Sequence, residues 1–423
     1  MKMGFSSAAI TPPVPCSMAG YGVAREAQGV HDELYARAMA FQESGQPTVV
    51  LLALDVLNLD EVCMCALAAK LEPLGVSREQ LLVCCIHTHA SFGGIFDMER
   101  GINPAMTDLL GHARPDLVDL LVTQSALAVA CALSDMAETS VAMNKGDMGG
   151  KLATNRHAPG LLSDQELLVL EFLRADGKKV LLYNLCCHPT VLNAQNKLLS
   201  ADFVGAVAAR LHNECDMSIF VNGSAGDMST RFTRRESSFA ECERFADIVF
   251  SEIQQLRGKS DFIPLTELSL CYHTILLKEA CVDAIDTAEK KYNDAMHRLA
   301  EVKANTDDRA TVRKAESFVE GATVNLTKAR HLKQGTQKEA AVPVGLLTIN
   351  GRRIVCSPFE LFSSLALLLK QRTGVEMFGY VNALFGYLAD ASAFDAGDYE
   401  ALMGAFARGA GEDYIAQLTA WLS

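Results

Sequence analysis

The sequence holds no run of about 18 or more uncharged apolar residues, so it reads as a chain without a transmembrane helix. Residues Met1 to Pro13 carry no apolar stretch ahead of the prolines, and they do not read as a secretory signal. Basic residues are in deficit. Lys and Arg number 38 against 51 Asp and Glu, a formal net charge of −13, and an acidic surface disfavours the polyanionic partners nucleic acid and anionic membrane. The 13 cysteines show no zinc-finger spacing, since Cys63-Met64-Cys65 has no matching second pair. Many of them sit inside apolar runs, as in Cys84-Cys85 and Cys186-Cys187, and read as small buried hydrophobes. Reduced thiols fit the cytoplasm better than a disulfide framework. No linker rich in Pro, Gly or Ser divides the chain, which points to a single domain over residues 1–423.

The 423 residues, 49% of them hydrophobic, are enough for a large core. Two short apolar runs end in histidine. Leu81 to Ile86 leads into His87-Thr88-His89, and Val180 to Cys187 leads into His188-Pro189-Thr190. Runs of this length, rich in Val, Leu, Ile and Cys, predict buried strands. Pro47 to Val56 predicts another strand, Glu61 to Leu74 a helix, and Gln80 to Ile86 the next strand, together a β-α-β unit. A helix follows over about Pro115 to Ser134. Further strands are expected at Glu166–Leu173, Lys179–Cys187, Met217–Val221 and Arg353–Cys356. The expected fold class is α/β, with a central mixed or parallel sheet flanked by helices.

From Lys278 to Leu332 the strands stop and charge rises. Ile285, Ala288, Tyr292, Ala295, Leu299 and Val302 recur at helical spacing. Val312, Ala315, Val319, Ala322, Leu326 and Ala329 repeat the pattern beyond Asn305-Thr306-Asp307-Asp308. This predicts a helical-hairpin insertion with a coiled-coil seam. Packing is the expected use of its apolar faces. A lid and a subunit contact in a homo-oligomer are the alternatives.

Open α/β sheets place ligands outside the carboxyl ends of their strands. A histidine there is held on a rigid rim, and two such histidines could meet on one metal ion. His87 and His89, two apart, would project from one side of a strand end, leaving one free for proton transfer. Glu360 follows a strand and the turn Ser357-Pro358-Phe359, and is expected to open a helix over Leu361–Arg372. There it would be either a carboxylate favoured by the helix dipole or the third member of a His-His-Glu zinc site. Asn222 to Ser229 carries two glycines at a strand end. It lacks the Gly-Lys-Ser/Thr of a phosphate loop and the G-x-S-x-G spacing of a nucleophile elbow. Asn155-Arg156 supplies a guanidinium that could neutralise an oxyanion or grip a carboxylate, or simply face solvent.

These blocks, in this order, resemble the catalytic domain of the neutral (alkaline, non-lysosomal) ceramidases, which are zinc amidases. Ile10-Thr11-Pro12-Pro13 with Met18-Ala19-Gly20-Tyr21-Gly22 looks like the family's opening. His31-Asp32 with Leu34 to Ala38 looks like its next block. His87-Thr88-His89, Asn155-Arg156, His188-Pro189-Thr190 and Ser200-Ala201-Asp202-Phe203 match family motifs, and Asn222 to Ser229 resembles its Gly-Asp-Val-Ser stretch. The resemblance implies His87, His188, Glu360 and Tyr387 as zinc ligands. It implies Tyr399 as a second active-site tyrosine, and His89, Arg156 and Ser229 as contacts to the scissile amide or head group. Zn²⁺ in such a set lowers the pKa of bound water to about 7. The implied partner is a small-molecule or lipid amide.

The chain also departs from the family. Ala90-Ser91-Phe92 stands where the family has Ser-Gly-Pro, and Met228-Ser229-Thr230 where it has Val-Ser-Pro. The reading is of a short form without the C-terminal immunoglobulin-like domain or the secretion signal, which leaves ceramide itself open as the substrate. A zinc esterase or lactonase acting on a small metabolite, and a non-catalytic binding protein of the same fold, stand as alternatives.

Overall fold

The computed structural model describes residues 1–21, 24–43, 45–97, 111–331, 338–383 and 385–423. Gly22 of the opening motif and Leu332 at the end of the insertion lie outside them. The main strands are β1 (Lys2–Ala9), β2 (Tyr35–Gln42), β3 (Val49–Leu54), β4 (Leu81–Cys85), β5 (Ala137–Asp147), β6 (Glu166–Arg174) and β7 (Lys179–Leu185). They continue with β8 (Met217–Asn222), β9 (Ile263–Pro264), β10 (Leu268–Lys278), β11 (Glu339–Ile349), β12 (Arg352–Cys356) and β13 (Glu376–Phe378). Among the described residues, nine strands form a first sheet in the order β8-β7-β6-β5-β1-β2-β3-β4, with β9 paired to β5. It is mixed: β3–β4 and β7–β8 run parallel, and its other pairs run antiparallel.

The apolar runs are continuous because this sheet is covered on both faces. In β3, Val50, Leu52 and Leu54 enter one core while Leu51 and Ala53 enter another. In β7, Leu181, Tyr183 and Leu185 take the first side, Val180 and Leu182 the second. The first side is closed by helices α1 (Glu61–Leu71), α2 (Pro115–Ser134), α3 (Asp202–Leu211) and α4 (Phe239–Leu256), through Leu67, Leu121, Val207 and Phe245. The second side packs on a second sheet, β10-β11-β12-β13, through Leu347, Ile349, Ile354 and Phe378. Helices α7 (Ser363–Thr373) and α9 (Ala410–Leu422) cover that sheet's outer face with Leu365, Leu369, Ile415 and Leu418. The result is four layers: helices, sheet, sheet, helices. The sequence pattern shows the helices and the mixed sheet. The second sheet is visible there only as β12, because β10 is largely exposed along its length and lacks an apolar run.

Helix α2 is long and apolar enough by composition to cross a membrane, where the sequence reading found no such helix. Its apolarity has a local use: Leu117, Leu121, Ala128, Val129 and Ala132 are buried against β1, β2 and α1. Helix α1 is capped by Asp60, whose side chain accepts the Cys63 N–H, and it tightens into a 3₁₀ turn at Glu72–Leu74, where Pro73 can donate no hydrogen bond.

Between β10 and β11 lie α5 (Ile285–Asn305) and α6 (Arg309–His331), packed on each other. Ala288, Leu326 and Ala329 are buried at their contact. Ile285 is on the expected seam but is 45% exposed, because it is the first residue of α5. Helix α6 buries a second face against α8 (Tyr399–Met403): a Cβ on Gly321 would lie 2.8 Å from Leu402, and Val324 packs with Met403 and the rings of Tyr387 and Tyr399. The hairpin therefore buttresses the segment that carries both tyrosines.

The pairing order places β4 and β8 at opposite ends of the first sheet, yet the sheet curls until they approach. The segment after β13 stitches them together. Gly379 N–H donates to the Asn222 carbonyl, Asn382 N–H to the Val83 carbonyl, and Cys85 N–H to the Tyr380 carbonyl. Closure brings the carboxyl end of β4 to that of β7. Leu182, between the two sheets, tests this packing. Leu182→Ala is expected to lower stability by about 3 kcal/mol in urea unfolding, as large-to-small changes in dry cores do. A loss below about 1 kcal/mol would show a loosely filled layer.

Candidate metal centre and active site

His87 leaves the end of β4 with a backbone φ of +68°, a left-handed conformation that is costly for a residue with a side chain. Its N–H donates to the Val56 carbonyl, and its Nδ1 lies 2.9 Å from the Leu57 carbonyl oxygen. His188, just past β7, places Nδ1 2.7 Å from the Ala225 carbonyl oxygen. A carbonyl only accepts, so both Nδ1 atoms carry the proton and both Nε2 lone pairs face inward. Burial and the neighbouring Arg156 push the His188 imidazole down to about 4, keeping it neutral.

The inward atoms meet Glu360. Its Oε2 is 3.2 Å from His188 Nε2 and 3.3 Å from His87 Nε2. Lone pairs and a carboxylate facing one another at such distances repel unless a proton or a metal cation lies among them. A tetrahedral site with bonds of about 2.0–2.2 Å sets its ligand atoms about 3.3–3.6 Å apart, and the spacing seen here is at the short end of that range. Two imidazole nitrogens and one carboxylate are a donor set suited to zinc. The three side chains therefore fit a divalent ion, and His87, His89 and His188 form a group whose ligand atoms lie within 4.8 Å of one another.

His89 differs from the other two. Its Nε2 is 3.3 Å from His87 Nε2, but its buried Nδ1 has no hydrogen-bond partner. Burial and the imidazoles of His87 and His188 hold its pKa well below the usual value. The chain's opening segment supports it. The Tyr21 ring lies 4.9 Å from the His89 ring, and Arg25 donates to the His89 carbonyl. Gly20 has φ +102°, and a Cβ there would lie 2.6 Å from the His89 ring, so only glycine lets this segment approach.

Glu360 sits on a two-residue strand, Glu360–Leu361, paired with Tyr387–Leu388, and not at the start of a helix. Helix α7 begins only at Ser363, because Asp227 reaches across to accept its N–H at 2.7 Å and its hydroxyl at 2.9 Å. The backbone of Gly226 passes so close that a Cβ there would lie 2.4 Å from the Glu360 carbonyl oxygen. Asp227 also accepts from Asn155 Nδ2 at 2.9 Å, and Arg156 N–H donates to the Asp227 carbonyl. The Asn-Arg and Gly-Asp motifs are thus one knot that ties the Arg156 loop to the strand of Glu360. Burial raises the Asp227 carboxyl to about 6, partly offset by these donors.

Arg156 donates to Glu400 at 2.8 Å and lies 3.5 Å from the Tyr387 hydroxyl, with its buried Nε left unpartnered. Burial opposes the charge on Glu400, but Arg156 and His157 hold it at about 2. The Tyr387 and Tyr399 rings meet edge to face at 5.9 Å. In register, Tyr387 lies beside Glu360. The Ser229 hydroxyl accepts the Arg231 N–H at 3.1 Å and caps the turn Thr230–Phe232. The structure thus gathers His87, His89, His188 and Glu360 at one point, sets Arg156 and the two tyrosines in a cluster alongside, and leaves Ser229 in a turn linked to that cluster through Arg231.

The family model described as neutral/alkaline non-lysosomal ceramidase, N-terminal, matches residues 1–243. The chain belongs to this family. Two solved ceramidases share its fold. One, a ceramidase complexed with C2, is 16% identical with a TM-score of 0.77 and covers 100% of this chain and 74% of that one. The other, the neutral ceramidase from Pseudomonas aeruginosa, is 16% identical with a TM-score of 0.76 and covers 100% of this chain and 73% of that one. No curated protein sequence matches the chain. Family and fold together support an amide-hydrolysing enzyme. The matched span ends before Glu360, Tyr387 and Tyr399, which join the site only through the fold.

Sequence reasoning missed Tyr380. It is fully buried at φ +57°, its ring lies 4.3 Å from the His87 ring and 6.1 Å from that of His188, and its hydroxyl has no partner. Burial and the nearby Glu360 push that hydroxyl's pKa well up. None of the motifs singled out in the sequence contains it. The Asp227 knot makes a direct prediction. Asp227→Ala leaves three donors without their acceptor and is expected to cost about 3 kcal/mol in urea unfolding. An unchanged midpoint would contradict the role of Asp227 as the tie.

Proposed function

We propose that this chain is a zinc-dependent hydrolase that cleaves the amide bond of an N-acyl amide. The observation that carries the reading is the convergence of His87 Nε2, His188 Nε2 and Glu360 Oε2 at 3.2–3.3 Å, with both Nδ1 atoms committed to carbonyls. His87, His188 and Glu360 would hold the ion, and Tyr387, beside Glu360 in register, is the fourth candidate. Zinc held this way supplies a water of lowered pKa and polarises a bound carbonyl.

The remaining work falls to the chain's own groups. His89 is neutral, adjacent and unpartnered at Nδ1, so it can accept a proton and deliver it to the departing amine. Arg156 stays charged although burial opposes it, because Tyr387 and Glu400 flank it, and its guanidinium can stabilise an oxyanion. Tyr399 offers a second donor whose hydroxyl burial keeps protonated. The layered core fixes these groups before substrate arrives, so little reorganisation is needed when charge develops. All thirteen thiols are free, which supports a reducing compartment as the place of action.

Metal analysis of the purified protein supplied with zinc is expected to give one zinc per chain. His87→Ala and His188→Ala should lose it. His89→Ala should retain it while losing amide hydrolysis by about 100-fold or more. A wild-type protein that takes up no zinc overturns the reading. So does a clear preference for esters over matched N-acyl amides.

A further inference from the structure

The acidic chain gathers arginine beside this site, between the Arg156 loop and the segment that follows His188. Arg231 rides on the turn Thr230–Phe232, held by the Ser229 cap, and its Nη1 lies 3.4 Å from the Arg156 carbonyl oxygen. It is half-buried, and no carboxylate among the described residues lies within ion-pair distance of it. Three cations and one carboxylate act on it: burial and the like charges of Arg156, Arg313 and Arg234 outweigh Glu400 and lower its guanidinium to about 10. Arg156 is neutralised by Glu400, and Arg313 by Glu320 and Glu316. Among the described residues Arg234 donates to the carbonyls of Thr190 and Val191, and its charge also acts on the buried Asp202 carboxyl without forming an ion pair with it. Two guanidinium groups are thus left without an ion-pair partner.

This cluster adjoins the candidate site. Arg156 reaches the hydroxyl of Tyr387, the strand neighbour of Glu360. Arg313 comes from α6, whose Val324 packs near the rings of Tyr387 and Tyr399, and both Arg313 and Arg234 act electrostatically on Tyr21, the ring beside His89. Gathering like charges in a half-buried place is costly unless an anion completes it. Guanidinium groups match carboxylate and phosphate geometry in particular.

We propose that the substrate amide carries an anionic group, a carboxylate, on its amine half, and that Arg231 with Arg234 binds it. The substrate class is then the N-acyl amino acids and not the uncharged N-acyl amino alcohols. The inference rests on the amidase reading for its reaction and on the arginine cluster for its specificity. The acyl half of an N-acyl amide is apolar, so the amine half is the one that a cationic cluster suits.

The test compares N-dodecanoylglycine with N-dodecanoylethanolamine, which share the acyl chain and the scissile bond and differ in the carboxylate. Zinc-supplied wild type is expected to show a kcat/KM about 10- to 100-fold higher on the glycine amide, the value of a charged hydrogen-bonded contact. Arg231→Gln should bring the ratio of the two to within about threefold of one, and Arg231→Lys should restore part of it. A wild-type ratio near or below one overturns the proposal, as does a ratio unchanged in Arg231→Gln. If neither amide is cleaved, the amidase reading fails separately and calorimetry decides the subsite. Tighter binding of the glycine amide that is lost in Arg231→Gln supports it, and equal binding of the two amides overturns it.

Discussion

Two hydrogen bonds, from the Nδ1–H groups of His87 and His188 to the carbonyls of Leu57 and Ala225, set the chemistry of this molecule. They choose the tautomer, turn the two Nε2 lone pairs toward Glu360, and leave three donor atoms facing one point. Both acceptors lie on loops at the carboxyl ends of strands that neighbour those of the histidines, and the two histidines meet because the first sheet curls and its edge strands are stitched by Gly379 to Asn382. The strained backbone of His87 and the buried, unpaired hydroxyl of Tyr380 sit at that seam. Local cost there is sustained by the dry layers on either side.

The motif blocks of the sequence acquire distinct physical roles. Gly20 and Tyr21 support His89. Asp32 accepts the Ala201 N–H, and the Asp202 carboxylate accepts from Val191, Leu192 and Phe203, which anchors the loop that follows His188. Asp227 joins the Asn155-Arg156 loop to the strand of Glu360. Most of these residues position members of the candidate site without facing the point where His87, His188 and Glu360 converge. The helical insertion, similarly, acts through packing: α6 backs the helix of Tyr399 and contributes Arg313 to the arginine cluster beside the site.

The strands β3, β4, β6, β7 and β8 and helix α2 were legible because they are continuous apolar or amphipathic runs with clear ends. The pairing of His87 with His188 was legible because both follow such strands. Glu360 was found but assigned to a helix, since the Asp227 contact that delays α7 comes from 136 residues away. Tyr380 left no trace in the sequence, as its place depends on closure between strands that are not neighbours in the pairing order. Arg231 was passed over for a related reason. A single arginine in a polar turn looks solvated, and its lack of carboxylates appears only once α6 and the Arg156 loop are folded around it.

The central claim is that one zinc ion is held by the two carbonyl-locked histidines and the strand carboxylate. Anomalous diffraction at the zinc edge from crystals of the zinc-loaded protein tests it directly. The account predicts a peak at about 2.0–2.2 Å from His87 Nε2, His188 Nε2 and a Glu360 carboxylate oxygen. A peak bound elsewhere, on the cysteines for example, or none at this point, would contradict it.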